Sequence, residues 1–291
     1  MCRSTVAGLL AVLLAPDARA ADAVRPGGVL RWSGTPALEC QQGERAFQPI
    51  DGVCYFAIDL QATGGVTVER RTATGAEQRE LKVGAYPYST QSIRGVESKF
   101  VAPSQEQQER IRSEAADVAK LWELSTPRRF ELPLGAPLRS LSKAGRFGSR
   151  RIVNGEPRSP HGGNDYSAAP GTPVLAAADG TVALTGDQFY AGRAVYLDHG
   201  DGLISMSFHL SQILVKQGEA VKRGQVIGKS GATGLVTGPH LHFGLRWRGA
   251  RIDPTLLLGP PEAIPALGAR PTGATRKAPA SRPGAPGGAR P

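Results

Sequence analysis

Histidine is missing from both ends of this chain: all five lie between residues 161 and 242. Long apolar runs are missing as well, and no segment reaches the roughly 20 residues that a membrane-spanning helix needs. There is no internal repeat, which argues against a solenoid or propeller. Basic residues are not interleaved with aromatics, which argues against a nucleic-acid surface. Acidic residues stop at Glu262, while Arg270, Arg276, Lys277, Arg282 and Arg290 follow it. About half of the formal charge of +10 thus sits on a terminal segment without counter-charge. Such a segment suits an anionic envelope polymer or membrane surface.

Cysteine is scarce, at three in 291 residues. The opening "MCRSTVAGLLAVLLAPDARA" has an early Arg, an apolar run from Val6 to Ala15 and a small-x-small ending at Ala18 and Ala20. It reads as a secretory signal at residues 1–20, cleaved after Ala20, which predicts a periplasmic or secreted protein. Cys2 leaves with that segment. Cys40 and Cys54 remain, and in an oxidising compartment they are expected to close a disulfide worth roughly 3 kcal/mol.

What is present is mostly strand-like. Residues 21–100 read as a small β-sandwich-like domain: in "CYFAIDL" an apolar face of Cys54, Phe56, Ile58 and Leu60 alternates with Tyr55, Ala57 and Asp59. "VTVERRTATGAEQRELKV" reads as a hairpin turning near Thr74-Gly75. Residues 101–139 hold a connecting helix and linker. Ser104 with Gln107 makes a capping box, and Ile111, Ala115, Val118 and Trp122 form one stripe, expected to pack between the domains. Residues 140–258 return to Val- and Gly-rich strands parted by turns, and residues 259–291 read as a disordered Pro/Gly/Ala-rich basic tail. The fold class is mainly β.

The confinement of histidine to that second strand-rich region suggests one site. "PHGGND" carries His161 and Asp165, on a glycine-rich loop that runs into a strand and can fold back so that both side chains converge. "HLHFG" places His240 and His242 on one face of a strand. Imidazole and carboxylate together suit Zn²⁺, and a catalytic site keeps three ligands and an open position. One histidine of the H-x-H pair can complete the set and leave the other free to work. His209 ends the apolar strand "LISMSFHL" and is a second working candidate. His199, in the turn "DHGDG", reads more simply as a locally hydrogen-bonded turn residue.

At these residues the chain resembles the lysostaphin/LytM-type zinc metallopeptidases of bacterial cell walls, exported Gram-negative type. The match runs from about Phe147 to Pro254 and includes "PHGGND", "AAPGTPVLAAADGTV", "HGDGLISMSFHLS", "GEAVKRGQVIGKSGATG" and "GPHLHFGL". The resemblance implies a C-terminal antiparallel β LytM-type peptidase domain at 140–258. It implies one Zn²⁺ per chain on His161, Asp165 and His242, with His209 and His240 as catalytic imidazoles. It also implies endopeptidase action on peptide stems and cross-bridges of peptidoglycan, with no nucleic acid involved. Ser207 departs from the family's usual Tyr, which is expected to tune substrate contact. The competing readings are a non-catalytic LytM-like binding or hydrolase-activating module, which would lack ligands, and a carrier domain, which would need a modified-Lys motif that is not found.

Overall fold

The structure, a computed structural model, describes residues 22–142 and 145–268. The expected signal segment and the basic residues from Arg270 onward lie outside the described residues. Apolar-polar alternation yields strands along most of the chain, and the fold is mainly β with antiparallel sheets.

Seven strands come first: β1 (Asp22–Val24), β2 (Val29–Trp32), β3 (Ala37–Gln42), β4 (Arg45–Phe47), β5 (Cys54–Ala57), β6 (Gly65–Thr72) and β7 (Gly75–Val83). They form a sheet in the order β1-β7-β6-β3-β4 and a separate β2-β5 ribbon. The β6–β7 hairpin runs in register to Thr72 opposite Gly75, turning where the sequence places it. Trp32, Phe47, Phe56, Val68 and Leu81 fill the space between sheet and ribbon. The Cys40–Cys54 disulfide joins β3 of one to β5 of the other. Tyr55 and Ala57, on the supposedly open face of β5, are also buried. That face packs on the C-terminal sheet, with the Tyr55 ring 6.1 Å from Trp247 and the Arg251 guanidinium forked onto Asp59 at 2.7 and 3.0 Å.

Next come β8 (Thr90–Ile93), α1 (Ser98–Val101) and α2 (Gln105–Leu121). The capping box forms: Ser104 Oγ accepts from the Gln107 amide at 3.3 Å, and Gln107 Oε1 accepts from the Ser104 amide at 2.9 Å. The helix does not lie between two domains. Val118, Leu121 and Trp122 pack on Ala194, Tyr196, Ile204 and Met206, because the outer face of the C-terminal sheet carries its own apolar stripe.

The remaining strands are β9 (Arg150–Val153), β10 (Glu156–Arg158), β11 (Gly163–Tyr166), β12 (Pro173–Leu175), β13 (Gly180–Gln188), β14 (Gly192–Asp198), β15 (Leu203–Ile213), β16 (Ala220–Val221), β17 (Val226–Ser230), β18 (Leu241–Trp247) and β19 (Ala250–Ile252). The main sheet runs β11-β18-β15-β14-β13-β16. β8 pairs in parallel with β9, and β9 pairs antiparallel with β10, as a small sheet of its own. Residues 259–268, expected to begin the unstructured tail, are folded. After α3 (Thr255–Leu258) the chain makes a 3-10 turn at Pro261–Ala263. Ile264 is then buried in the main core, and Leu267 donates its amide to Arg31 of β2. Apolar Ile264 and Leu267, together with the Arg31 side chain donating to Ile264 O, hold this strap down despite its proline-rich composition.

His199 belongs to this framework. It is fully buried at the β14–β15 turn, donating from Nδ1 to Asp179 O and accepting at Nε2 from Ser205 Oγ, both at 2.8 Å. Burial pushes its pKa down to about 4, against the opposing pull of the Asp179 carbonyl.

Two stability outcomes follow. Replacing Cys40 and Cys54 together by alanine should remove about 3 kcal/mol from denaturant unfolding, the loop-closure entropy of a bridge of this span. Unfolding also turns His199 into an ordinary imidazole, which takes up a proton that the folded chain refuses between pH 6.5 and about 4. Its contribution is complete above that window and falls by roughly 3 kcal/mol as the pH drops through it. Urea unfolding of His199→Gln should show a shallower loss between about pH 7 and about pH 5, by close to one proton.

Candidate active site

Strand register assembles the site. Asp165 of β11 lies opposite His242 of β18, and His242 lies opposite Phe208 of β15. These three therefore form a row on one face of the sheet, and His240, two residues before His242, shares that face. His161, Gly163 and Asp165 recur at every second residue as the chain enters β11. Strand alternation, rather than a loop folding back, aims His161 and Asp165 the same way. Between them the His242 ring covers Gly163, where a Cβ would lie 2.7 Å from His242 Nε2 and 2.5 Å from the Phe243 carbonyl oxygen. Only glycine leaves room for the ring.

His161 Nε2, His242 Nδ1 and Asp165 Oδ1 form a nearly equilateral triangle. The two nitrogens are 2.8 Å apart and each is 3.1 Å from the oxygen. No arrangement of protons satisfies all three edges. If one nitrogen carries hydrogen, the other faces the carboxylate lone pair to lone pair; if both do, their hydrogens face each other. A cation among them resolves all three contacts at once. Atoms about 2.1 Å from one tetrahedral centre lie about 3.4 Å apart, so the triangle needs to open by only a few tenths of an ångström. His161 Nδ1 is buried without a partner. The three residues form the candidate metal group among the described residues.

Burial pushes the His161 pKa down to about 4 and lowers that of His242 as well, with Asp165 pulling the other way in both cases. Burial would raise the Asp165 carboxyl, but hydrogen bonds from His161 and His242 hold it well below the usual carboxylate range. At neutral pH the set is two neutral imidazoles and a carboxylate, which is the ligand state that a divalent metal requires.

His209 reaches the same side through a β-bulge. Arg193 pairs with Leu210 and Val195 with Ser207, so Phe208 and His209 together oppose Ala194. His209 takes φ +64°, a left-handed conformation that costs a non-glycine residue ~1–2 kcal/mol. Its ring lies 4.9 Å from that of His240 and 6.0 Å from that of His242, centroid to centroid. Nδ1 of His209 donates to Thr233 O and Nδ1 of His240 to Gly238 O, each at 2.9 Å. In the neutral form of each ring, Nε2 therefore keeps its lone pair. His240 Nε2 is 3.5 Å from Asp165 Oδ1. Burial, with His242 and His240 adding to it, pushes His209 down to about 3.

Asp165, His209 and His240 line a cavity of about 330 Å³. Its far wall is the β8–β9–β10 sheet and its near wall includes Tyr190 and Leu235. The five sequence candidates gather around Asp165, three of them lining the cavity, whereas both ring nitrogens of His199 are engaged elsewhere. Ser207 is buried opposite Val195 and Phe243, on the strand face away from Phe208 and His242, and it does not line the cavity. The expected effect of this position on substrate contact is therefore not a direct one. Sequence reading missed Phe208, whose ring stacks on His242 at 5.1 Å and 3°, and Gly163, whose role depends on a partner strand. It also missed Arg151, 3.6 Å from Asp165 Oδ2. Only the adjacency of Phe208 to His209 hinted at the first.

Residues 159–254 match the model of Peptidase family M23. Peptidoglycan DD-endopeptidase ShyA of Vibrio cholerae serotype O1 is 48% identical over 95 residues, covering 33% of this chain and 22% of the relative. DD-carboxypeptidase/endopeptidase Mpg of Neisseria meningitidis serogroup B is 44% identical over 94 residues, covering 32% and 22%. The chain thus spans about a fifth of the length of these curated relatives. A crystal structure from Pseudomonas aeruginosa, described as a peptidase M23, is similar over a much longer stretch. It is 32% identical with a TM-score of 0.60, covering 80% of this chain and 94% of the other. That likeness extends well beyond the residues matched to the family, and on it the chain belongs to peptidase family M23.

Proposed function

We propose that this protein is a zinc-dependent endopeptidase that hydrolyses peptide cross-links of bacterial peptidoglycan during cell-wall remodelling, acting in the periplasm or outside the cell. The observation that carries this reading is the donor triangle of His161, Asp165 and His242, whose contacts no set of protons satisfies. The names of the relatives from Vibrio and Neisseria support the substrate class, and the disulfide supports an oxidising compartment.

His161 Nε2, His242 Nδ1 and Asp165 Oδ1 would hold the zinc. When bound, the ion supplies Lewis acidity toward the scissile carbonyl and lowers the pKa of a water molecule to about 7. The chain's own residues do the rest. His209 and His240 line the cavity beside Asp165 with their Nδ1 atoms already bonded, so one imidazole takes at Nε2 the proton that attacking water gives up. The other, once protonated, donates to the developing oxyanion or to the departing amine. Thr233 O and Gly238 O fix both tautomers, so the lone pairs are in place before substrate arrives. Phe208 shields one face of His242 from water.

Three measurements test the reading. Purified peptidoglycan incubated with the protein should release un-cross-linked peptides in a chelator-sensitive manner that zinc restores, read by mass spectrometry; zinc-loaded protein that releases nothing from any peptidoglycan type would refute it. His209→Ala should retain zinc yet lose roughly 10²–10⁴ in rate. Gly163→Ala should bind zinc at least about tenfold more weakly, because the new methyl group pushes β11 off the Phe243–Gly244 backbone and displaces the His242 ring.

A further inference from the structure

Three arginines line the cavity: Arg146, Arg151 and Arg158. Asp165 is the one carboxylate among its lining residues, and it already faces His161, His242 and His240 through Oδ1. Arg151 projects from β9 and is three-quarters withdrawn from solvent, with 26% of its side chain exposed. Its Nε is buried with no hydrogen-bond partner, and its Nη2 stands 3.6 Å from Asp165 Oδ2, beyond hydrogen-bond length. Arg146 makes no side-chain hydrogen bond or ion pair among the described residues and is exposed at the rim, whereas Arg158 gives one nitrogen to Val101 O at 2.7 Å.

A guanidinium taken out of water without matching acceptors is costly, and its planar fork of donors fits a carboxylate in two-point contact. A framework arginine would have been given those acceptors by its neighbours, as Arg251 is by Asp59 and Arg248 by Asp201. Arg151 has not. Its distance from Asp165 also limits where the missing anion lies. One residue of extended chain spans ~3.5 Å, so a group held by Arg151 belongs to a residue next to the bond being cut and not to a remote part of the substrate.

We propose that Arg151, with Arg146 at the rim, forms a carboxylate-binding subsite for a free carboxylate on a residue flanking the scissile amide. The proposal rests on the peptidase reading above and adds a specificity: the preferred substrate is a peptide with an ionised carboxyl group adjacent to the scissile amide. Arg151 is a specificity residue, and the hydrolysis itself is unaltered in its atoms.

The test uses the zinc-loaded full chain and two cross-linked peptides that differ only in that carboxyl group, one free and one a primary amide. The free form should be cut with a kcat/KM about 10- to 100-fold higher, the range expected for a charge-assisted hydrogen bond. In Arg151→Gln that ratio should fall to near one, and in Arg151→Lys to an intermediate value. Arg146→Gln, a change at an exposed position with little risk to folding, should lower the ratio in the same sense by a smaller factor. Equal treatment of both peptides by the unaltered protein overturns the proposal. So does an Arg151→Gln variant that loses the same factor on both, since that is how a residue acting only through Asp165 behaves. Equilibrium binding of both peptides to His209→Ala, with and without Arg151→Gln, separates the subsite from the activity. A carboxylate preference in binding that depends on Arg151, when the zinc-loaded unaltered chain cuts neither peptide, keeps the subsite and refutes the peptidase reading. No preference in binding or in cleavage refutes the subsite.

Discussion

The pairing of β11 with β18, in the one register that sets Asp165 opposite His242, is the constraint on which the rest of the site depends. Strand side chains alternate with period two, so a slip of a single residue would turn His242 and His240 to the opposite face and leave Asp165 beside Leu241 or Phe243. The register is fixed from both sides. Tyr166, Leu241, Phe243, Leu245 and Trp247 face the main core and are almost wholly buried, and the close approach of Gly163 to Gly244 admits no side chain at Gly163. The core thereby pins the same strands that carry the polar cluster. An arrangement that in isolation would separate, two neutral imidazoles and a carboxylate with no consistent set of protons, is held together by the apolar burial on the reverse face.

His209 shows the complementary device. A regular strand would aim it away from Phe208, into the layer that Ser207 occupies, and the bulge opposite Ala194 redirects it. The amide of His209 still donates to Ala191 O, and its ring is tethered to Thr233 O, so the left-handed backbone is surrounded by contacts that stabilise it. Strain of ~1–2 kcal/mol is small beside the burial of the strand that carries it. The result is a pair of imidazoles on different segments, one on a bulge and one just before β18, with matching tautomers and ring centroids 4.9 Å apart.

The sequence made the donors legible and left their surroundings hidden. H-x-H declares a shared strand face by spacing alone, and the confinement of all five histidines to one region says that the face matters. His199 shows the limit of that logic: a histidine in the same region, fully buried, ties its turn to Asp179 O and Ser205 Oγ and takes no part in the site. Gly163 and Arg151 could not have been singled out, because each acts through a neighbour distant in sequence. β11 must meet β18 before a glycine there means room for a ring, and β9 must fold over the cavity before an arginine there means an anion. The strap at 259–268 was misjudged for a related reason. Composition registered its prolines and glycines, whereas the structure depends on two apolar side chains and the Arg31 contacts that receive them.

The walls of the cavity differ in origin, and this bears on selectivity. The donors and both imidazoles come from the main sheet and its loops, where cores on either side leave little freedom. The arginines come from β9, β10 and the segment just before them, a small sheet completed by β8 from the earlier part of the chain. Its contacts with the site are the 3.6 Å charge pairing of Arg151 with Asp165 and, from the segment just before β9, backbone hydrogen bonds to His161 and Asp165. Chemistry and recognition are thus carried by separate elements. The main sheet cannot change without losing the triangle, while side chains of the β8–β10 wall other than Arg151 can vary in charge and shape without touching a ligand. A family that retains one reaction and meets differing cell-wall peptides would be expected to vary in that wall.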